Sequence, residues 1–163
     1  MTRAWTGEEL AERLRRDTPK AVIEHDAGSV YVSPEAVAQV AKLLRDAPDL
    51  DFKFLSLITG VDFIEYFQVT YHLTSITHNA VAVVKTKLFG RDEPVVPSVS
   101  HLWRGADLME RETYDLMGIR FDGHPNMKRV LLWDGFPGNP LRKDFKGAGL
   151  PEGIEWARPN VSG

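Results

Sequence analysis

The spacing of apolar residues changes along the chain, and each change marks an element. Leu10 and Leu14 sit one helical turn apart behind Thr6-Gly7-Glu8-Glu9, a hydroxyl followed three residues later by a carboxylate. This capping-box pattern predicts a helix over residues 7–16, ended by Thr18-Pro19. Ala21-Val22-Ile23-Glu24 and Val30-Tyr31-Val32 flank the turn-forming Asp26-Ala27-Gly28-Ser29 and predict a hairpin. Ser33-Pro34 reads as a helix start, and Val37, Val40, Ala41 and Leu44 follow at helical spacing until Ala47-Pro48. The middle of the chain then reads as sheet. Phe52, Phe54, Leu55, Leu57 and Ile58 form one run. Phe67-Gln68-Val69-Thr70-Tyr71-His72-Leu73 alternates with period two. Residues 80–87 are rich in β-branched side chains. These runs predict three antiparallel neighbours.

Pro94 and Pro97 break this regularity. A helix is predicted over residues 105–117, carrying Leu108, Met109, Tyr114 and Leu116, with Gly118 as a left-handed cap. Beyond it the chain is rich in Gly, Pro and Asp, and only 129–132 reads as regular structure. Trp133, Phe136 and Phe145 lie in this irregular stretch and are expected to pack on something, as large aromatics in loops usually do.

Length and composition narrow the function. At 163 residues with 43% hydrophobic side chains, the chain is long enough for one domain with a real core, and it shows no repeat or domain boundary. The formal net charge is −3. From His101 onward nine basic and nine acidic side chains cancel, so the deficit lies in residues 1–100. No basic face or arm suited to nucleic acid emerges. The chain has no cysteine, which excludes disulfides, thiolate catalysis and cysteine-bound clusters. No apolar run is long enough to span a membrane, and the first residues do not read as a secretory signal. Membrane association is therefore expected to come through a partner.

Candidate chemistry centres on Glu110-Arg111-Glu112-Thr113-Tyr114-Asp115. On a helix, Glu110 and Tyr114 share one face, and Arg111 and Asp115 can pair across one turn. Glu110, Asp115 and His124 could form a metal or acid/base site in an independent enzyme. The ordinary alternative is a solvated or inter-subunit helix face, since charged pairs at this spacing are common on helices that do no chemistry. The five histidines form no HxxxH, HxH or HExxH pair, and His124 sits between Gly123 and Pro125, a setting for a side chain that fixes a loop. There is no GxSxG, GxGxxG or GxxxxGK motif, so serine-nucleophile and nucleotide-loop chemistry have no footing. Pro140-Leu141-Arg142-Lys143-Asp144-Phe145 sets two cations and a carboxylate between apolar anchors, a composition suited equally to an interface and to an exposed loop.

Taken together, Glu110-Arg111-Glu112-Thr113-Tyr114-Asp115-Leu116-Met117-Gly118-Ile119-Arg120-Phe121-Asp122-Gly123-His124-Pro125, the following Lys128-Arg129-Val130-Leu131-Leu132, and Gly138-Asn139-Pro140-Leu141-Arg142-Lys143-Asp144-Phe145 resemble the signature of the 30 kDa (C) subunit of respiratory complex I. The family typically has a histidine at the position of Asn139. The resemblance implies an α+β fold: a mixed, largely antiparallel β-sheet with helices packed on it, followed by an irregular Gly/Pro-rich C-terminal segment. It implies one domain over 1–163, with a body at 1–100, the signature helix and docking loop at 101–145, and a short tail at 146–163. It further implies a non-catalytic subunit of the hydrophilic arm of NADH:quinone oxidoreductase, peripheral on the cytoplasmic side of the cell membrane. The D subunit, the large one related to nickel–iron hydrogenases, would be its nearest partner, with the B and I subunits close by. FMN and the iron–sulfur clusters would be held by partners, leaving no catalytic, cofactor-binding or metal residues here. Many members continue well past the Lys-Asp-Phe segment, whereas only Lys146 to Gly163 remain here. Related subunits serve deazaflavin-dependent dehydrogenases, membrane-bound hydrogenases and the photosynthetic NDH complex, so the electron donor stays open.

Overall fold

The computed structural model describes residues 2–147, and the tail beyond Gly147 lies outside the described residues. A short strand β1 (Arg3–Ala4) leads into helix α1 (Gly7–Asp17). The capping box forms as the sequence predicts: the Glu9 N–H donates to the Thr6 hydroxyl and the Thr6 N–H to the Glu9 carboxylate. Strands β2 (Val22–His25) and β3 (Val30–Val32) make the expected hairpin, with a bulge between Val22 and Glu24. A 3-10 turn at Pro34–Ala36 opens helix α2 (Val37–Asp46), whose Val37, Val40, Ala41 and Leu44 are buried.

The sheet is built on β4 (Phe54–Asp62), β5 (Tyr66–Ser75) and β6 (Ala80–Phe89), joined antiparallel as predicted. Its order is β2-β3-β6-β5-β4; β3 and β1 both pair parallel with β6, which makes the sheet mixed. Phe67, Val69, Tyr71 and Leu73 alternate inward on β5, facing Ala82, Val84 and Leu88 of β6 and the apolar stripes of α1 and α2 in one buried core.

The helix predicted over 105–117 falls where the sequence places it, but β4 and the segment around Pro97 depart from that reading. β4 runs four residues past Ile58, through Gly60 to Asp62. Pro97 does not end all regularity: β7 (Val95–Pro97) pairs parallel with β8 (Arg120–Asp122) in a separate two-stranded sheet. Helix α3 (Ala106–Met117) lies between them in sequence and packs on β4. The close approach explains Gly60, where a Cβ would stand 2.6 Å from the Met117 sulfur and 3.0 Å from Thr113 Cγ2.

A buried charge network on the signature helix

Helix α3 turns charge inward. Glu110 is fully buried while Leu108, two residues earlier, is 59% exposed. The burial is possible because donors reach Glu110 from the segment after β7. The Ser98 hydroxyl donates to one carboxylate oxygen at 2.6 Å, and the Val99 N–H to the other at 2.7 Å. His124 stands on the other side, its Nε2 3.9 Å from Glu110 and 3.1 Å from an Asp107 carboxylate oxygen. The ring is held by main-chain groups: Asn126 N–H donates to Nδ1, and Nε2 donates to the Asp107 carbonyl at 3.3 Å. Accepting at Nδ1 fixes the neutral tautomer with its proton on Nε2.

Burial pushes the Glu110 carboxyl up to about 7, opposed by the bonds from Ser98 and Val99 and assisted by the charge of Asp107. The folded carboxyl therefore holds its proton more tightly than the unfolded one, whose pKa lies near 4.5. Its contribution favours folding most below that value and is lost as pH rises toward 7, a swing of about 3 kcal/mol. Urea midpoints recorded across this window should fall with pH in the parent chain, and Glu110→Gln should remove this component of the slope. A parent chain whose stability ignores pH between 5 and 7 would show that the carboxyl is already hydrated.

Asp115 is also fully buried and does a different job. One oxygen accepts from Arg129 Nη1 at 2.8 Å; the other accepts the N–H groups of Val130, Leu131 and Leu132 at 2.8–3.0 Å. Burial, which pulls its pKa upward, is outweighed by the three main-chain donors and Arg129, so the carboxyl is held below its ordinary value. Arg129 continues to the carbonyls of Phe136 and Gly138. The expected ion pair between Arg111 and Asp115 is thus not made; Arg111 instead donates to the carbonyls of Lys128 and Arg129. Nor does 129–132 form regular structure, because its amides wrap a carboxylate rather than a neighbouring strand.

The end of α3 is closed by the same loop. Gly118 adopts φ +73°, and its N–H returns to the Tyr114 carbonyl. Asn139 donates its amide to the carbonyls of Tyr114 and Asp115, and the Leu141 N–H donates to that of Leu116. A side chain at Gly118 would stand 2.8 Å from the Asn139 oxygen. Phe136 stacks on Phe145 and meets Trp133 edge-on, so these aromatics pack on one another.

A second latch ties the loop to the sheet. Asp62 is buried at the end of β4 and receives Arg91 in a fork, Nη1 at 2.9 Å and Nη2 at 2.7 Å. It also accepts the N–H groups of Ile64 and Lys143. Arg91 reaches on to Asp144, which pairs with Arg142; Arg142 in turn donates to the Arg91 carbonyl. Both guanidinium groups lie over the buried Phe67 ring, at 4.9 and 5.0 Å from its centroid. The Arg91 guanidinium, with the two main-chain donors, holds Asp62 well below the usual carboxylate range.

A model of the 30 kDa subunit of respiratory-chain NADH dehydrogenase matches residues 30–150, which contain this whole network. The chain belongs to that family. The C subunit of the NADH-quinone oxidoreductase of Roseiflexus sp. (strain RS-1) is 44% identical over 144 residues, covering 83% of this chain and 81% of the relative. The corresponding C subunit of Azorhizobium caulinodans is 39% identical over 154 residues, covering 90% and 72%. Among solved structures, a chain of the archaeal membrane-bound sulfane sulfur reductase, a respiratory membrane complex, superposes with a TM-score of 0.68 at 25% identity, covering 85% of each chain.

For this member of the 30 kDa family, the structure sorts the signature into groups. Glu110 and His124 meet behind α3; Asp115, Arg129 and the Gly118 turn form the loop clasp; Arg142 and Asp144 join the latch. Phe121 is buried on β8, whereas Glu112, Pro125, Leu141 and Lys143 face outward. Asp115 is enclosed by its own donors and does not join Glu110 and His124; among the described residues no three such groups are placed to hold a metal ion. Asp62, Arg91, Ser98 and Asp107 belong to the network and were not anticipated. Asp62 carried a readable signal: in register with Ile58 and Gly60, it is a carboxylate on the inward side of a strand.

Proposed function

We propose that the chain is a structural and assembly subunit of the hydrophilic arm of a proton-translocating NADH:quinone oxidoreductase, doing no chemistry itself. Supporting this reading is the way the signature charges are used: Asp115 and Asp62 fold residues 128–145 onto α3 and the sheet. The folded loop presents Leu131, Trp133 and Leu141 to the outside, and exposed apolar side chains on a rigid loop suit a subunit contact. Buried charges fix geometry better than they add net stability, a role fitting a scaffold whose neighbours hold redox centres at set distances. On this reading FMN and iron–sulfur clusters belong to partners, the hydrogenase-related D subunit is the nearest neighbour, and the B and I subunits lie close. The chain would sit peripherally on the cytoplasmic side of the membrane; no helix among the described residues is long and apolar enough to cross one. NADH as donor is favoured by the names of the curated relatives.

Arg142→Ala tests the reading in the intact complex. The amount of assembled complex, measured on native gels, should fall by about tenfold, because freeing Asp144 and the Arg91 carbonyl loosens the loop that presents Leu131, Trp133 and Leu141. Turnover per assembled complex should stay unchanged. Full assembly with lost turnover would assign the loop to chemistry instead.

A further inference from the structure

We propose that the free edge of β4, together with the outer face of α3, binds an extended segment of a partner subunit, which adds to the sheet as a further strand and sets a basic side chain on Glu112. This inference rests on the assembly reading above and names the partner's chemistry.

β4 is the last strand of its sheet, and among the described residues only β5 pairs with it. Its other edge therefore presents unpaired N–H and C=O groups along a nine-residue strand. Long edges in soluble proteins are usually blunted by lysine, proline, inward charge or a bulge. The bulge between Leu55 and Leu57 twists the start of this edge, but Leu57-Ile58-Thr59-Gly60-Val61 carries no lysine, proline or charge before Asp62 closes the strand. Leu57 and Val61, both outward, are 44% and 40% exposed.

A groove follows this edge. It is lined on one side by Leu57, Thr59 and Gly60 and on the other by Met109 and Leu116 of α3, with Leu141 at one end. Leu57 and Thr59 point to one face of the sheet and Gly60 to the other, so a groove touching all three runs along the strand edge itself. Its apolar walls suit the alternate side chains of an extended peptide.

Glu112 supplies the charge. Glu110, Asp115 and Asp144 are each committed to bonds within the chain. Glu112 lines the groove and is exposed, and its carboxylate has no hydrogen bond or ion pair among the described residues. A carboxylate on the rim of an apolar groove selects a lysine or arginine on the incoming strand.

The test uses the assembled complex purified through a tag on this chain, with a benzophenone amino acid in place of Leu57 and, as control, of the exposed His101. Irradiation should link position 57, and not position 101, to one stretch of another subunit that carries Lys or Arg. Glu112→Arg should lower that crosslink by about tenfold, since like charges oppose docking, and Glu112→Gln by less. The unfolding midpoint of the Glu112→Arg chain should match the parent. A crosslink to a second copy of this chain, no protein crosslink in a complex that co-purifies, or an indifferent Glu112→Arg would overturn the proposal. Failure of the chain to co-purify with any other subunit would overturn the assembly reading itself, and this inference with it.

Discussion

Asp115→Ala is expected to destabilise the chain by about 4 kcal/mol, because removing one member of a buried charge pair leaves its partners unsatisfied. The loss falls on four donors at once: Arg129 and the consecutive N–H groups of Val130, Leu131 and Leu132. None of these amides has a strand neighbour to turn to, so the whole turn at 130–132 is expected to open rather than relax. Asp115→Asn should recover little. The amide keeps one acceptor, but its NH2 group would face either Arg129 or three other N–H groups. Urea unfolding gives the size of the effect, and amide hydrogen exchange at 130–132 gives its location. The depressed Asp115 carboxyl adds a pH signature: its stabilisation is present above the ordinary value of 3.8 and is lost as pH falls below it. A cost under about 1 kcal/mol would mean that Asp115 is an ordinary surface-type pair.

Asp62→Ala is expected to cost a similar amount, about 4 kcal/mol, for the same reason. Its consequences reach further along the chain. Asp62 is the point where β4, the Ile64 turn, Arg91 and the Lys143 backbone meet. Without it, Arg91 retains Asp144 but loses its forked partner, and the Arg142–Asp144 segment loses its hold on the sheet. A double-mutant cycle between Asp62 and Arg91 should give a coupling of about 2–3 kcal/mol, and exchange at the Lys143 amide should rise. Additive single variants would separate the loop from the sheet and remove the latch from the structure's logic.

Much of the body was readable from local pattern. The period-two run at 67–73 and the β-branched run at 80–87 became the central strands because their inward residues meet the apolar stripes of α1 and α2 in one core. The Thr6–Glu9 cap and the Gly118 turn were visible because each depends on residues close in sequence. Helix α3 was placed correctly, but Glu110 and Asp115, read as part of a solvated or inter-subunit face or as an acid/base or metal site, are buried along with Ala106, Thr113 and Met117. The reason is nonlocal: Glu110 is satisfied from residues 98–99 and Asp115 from 129–132, and no window on the helix contains those donors. The same cause misled the reading of 129–132 as regular structure, since the amides of 130–132 are committed to Asp115. Arg91 had no local signal at all, since its role depends on a carboxylate 29 residues away. The likeness to the 30 kDa family was legible because the signature residues, though they act at a distance, keep fixed spacing along residues 110–145.

That these charges organise structure rather than carry chemistry is tested most directly at Glu110 and His124, the pair that would serve as acid and base in a catalytic site. Glu110→Gln and His124→Asn should be combined in one chain and the complex quantified in membranes, with NADH:quinone turnover divided by the amount assembled. The expected result is less assembled complex with unchanged turnover per complex. Normal assembly with abolished turnover would contradict a structural role and return Glu110 and His124 to the chemistry.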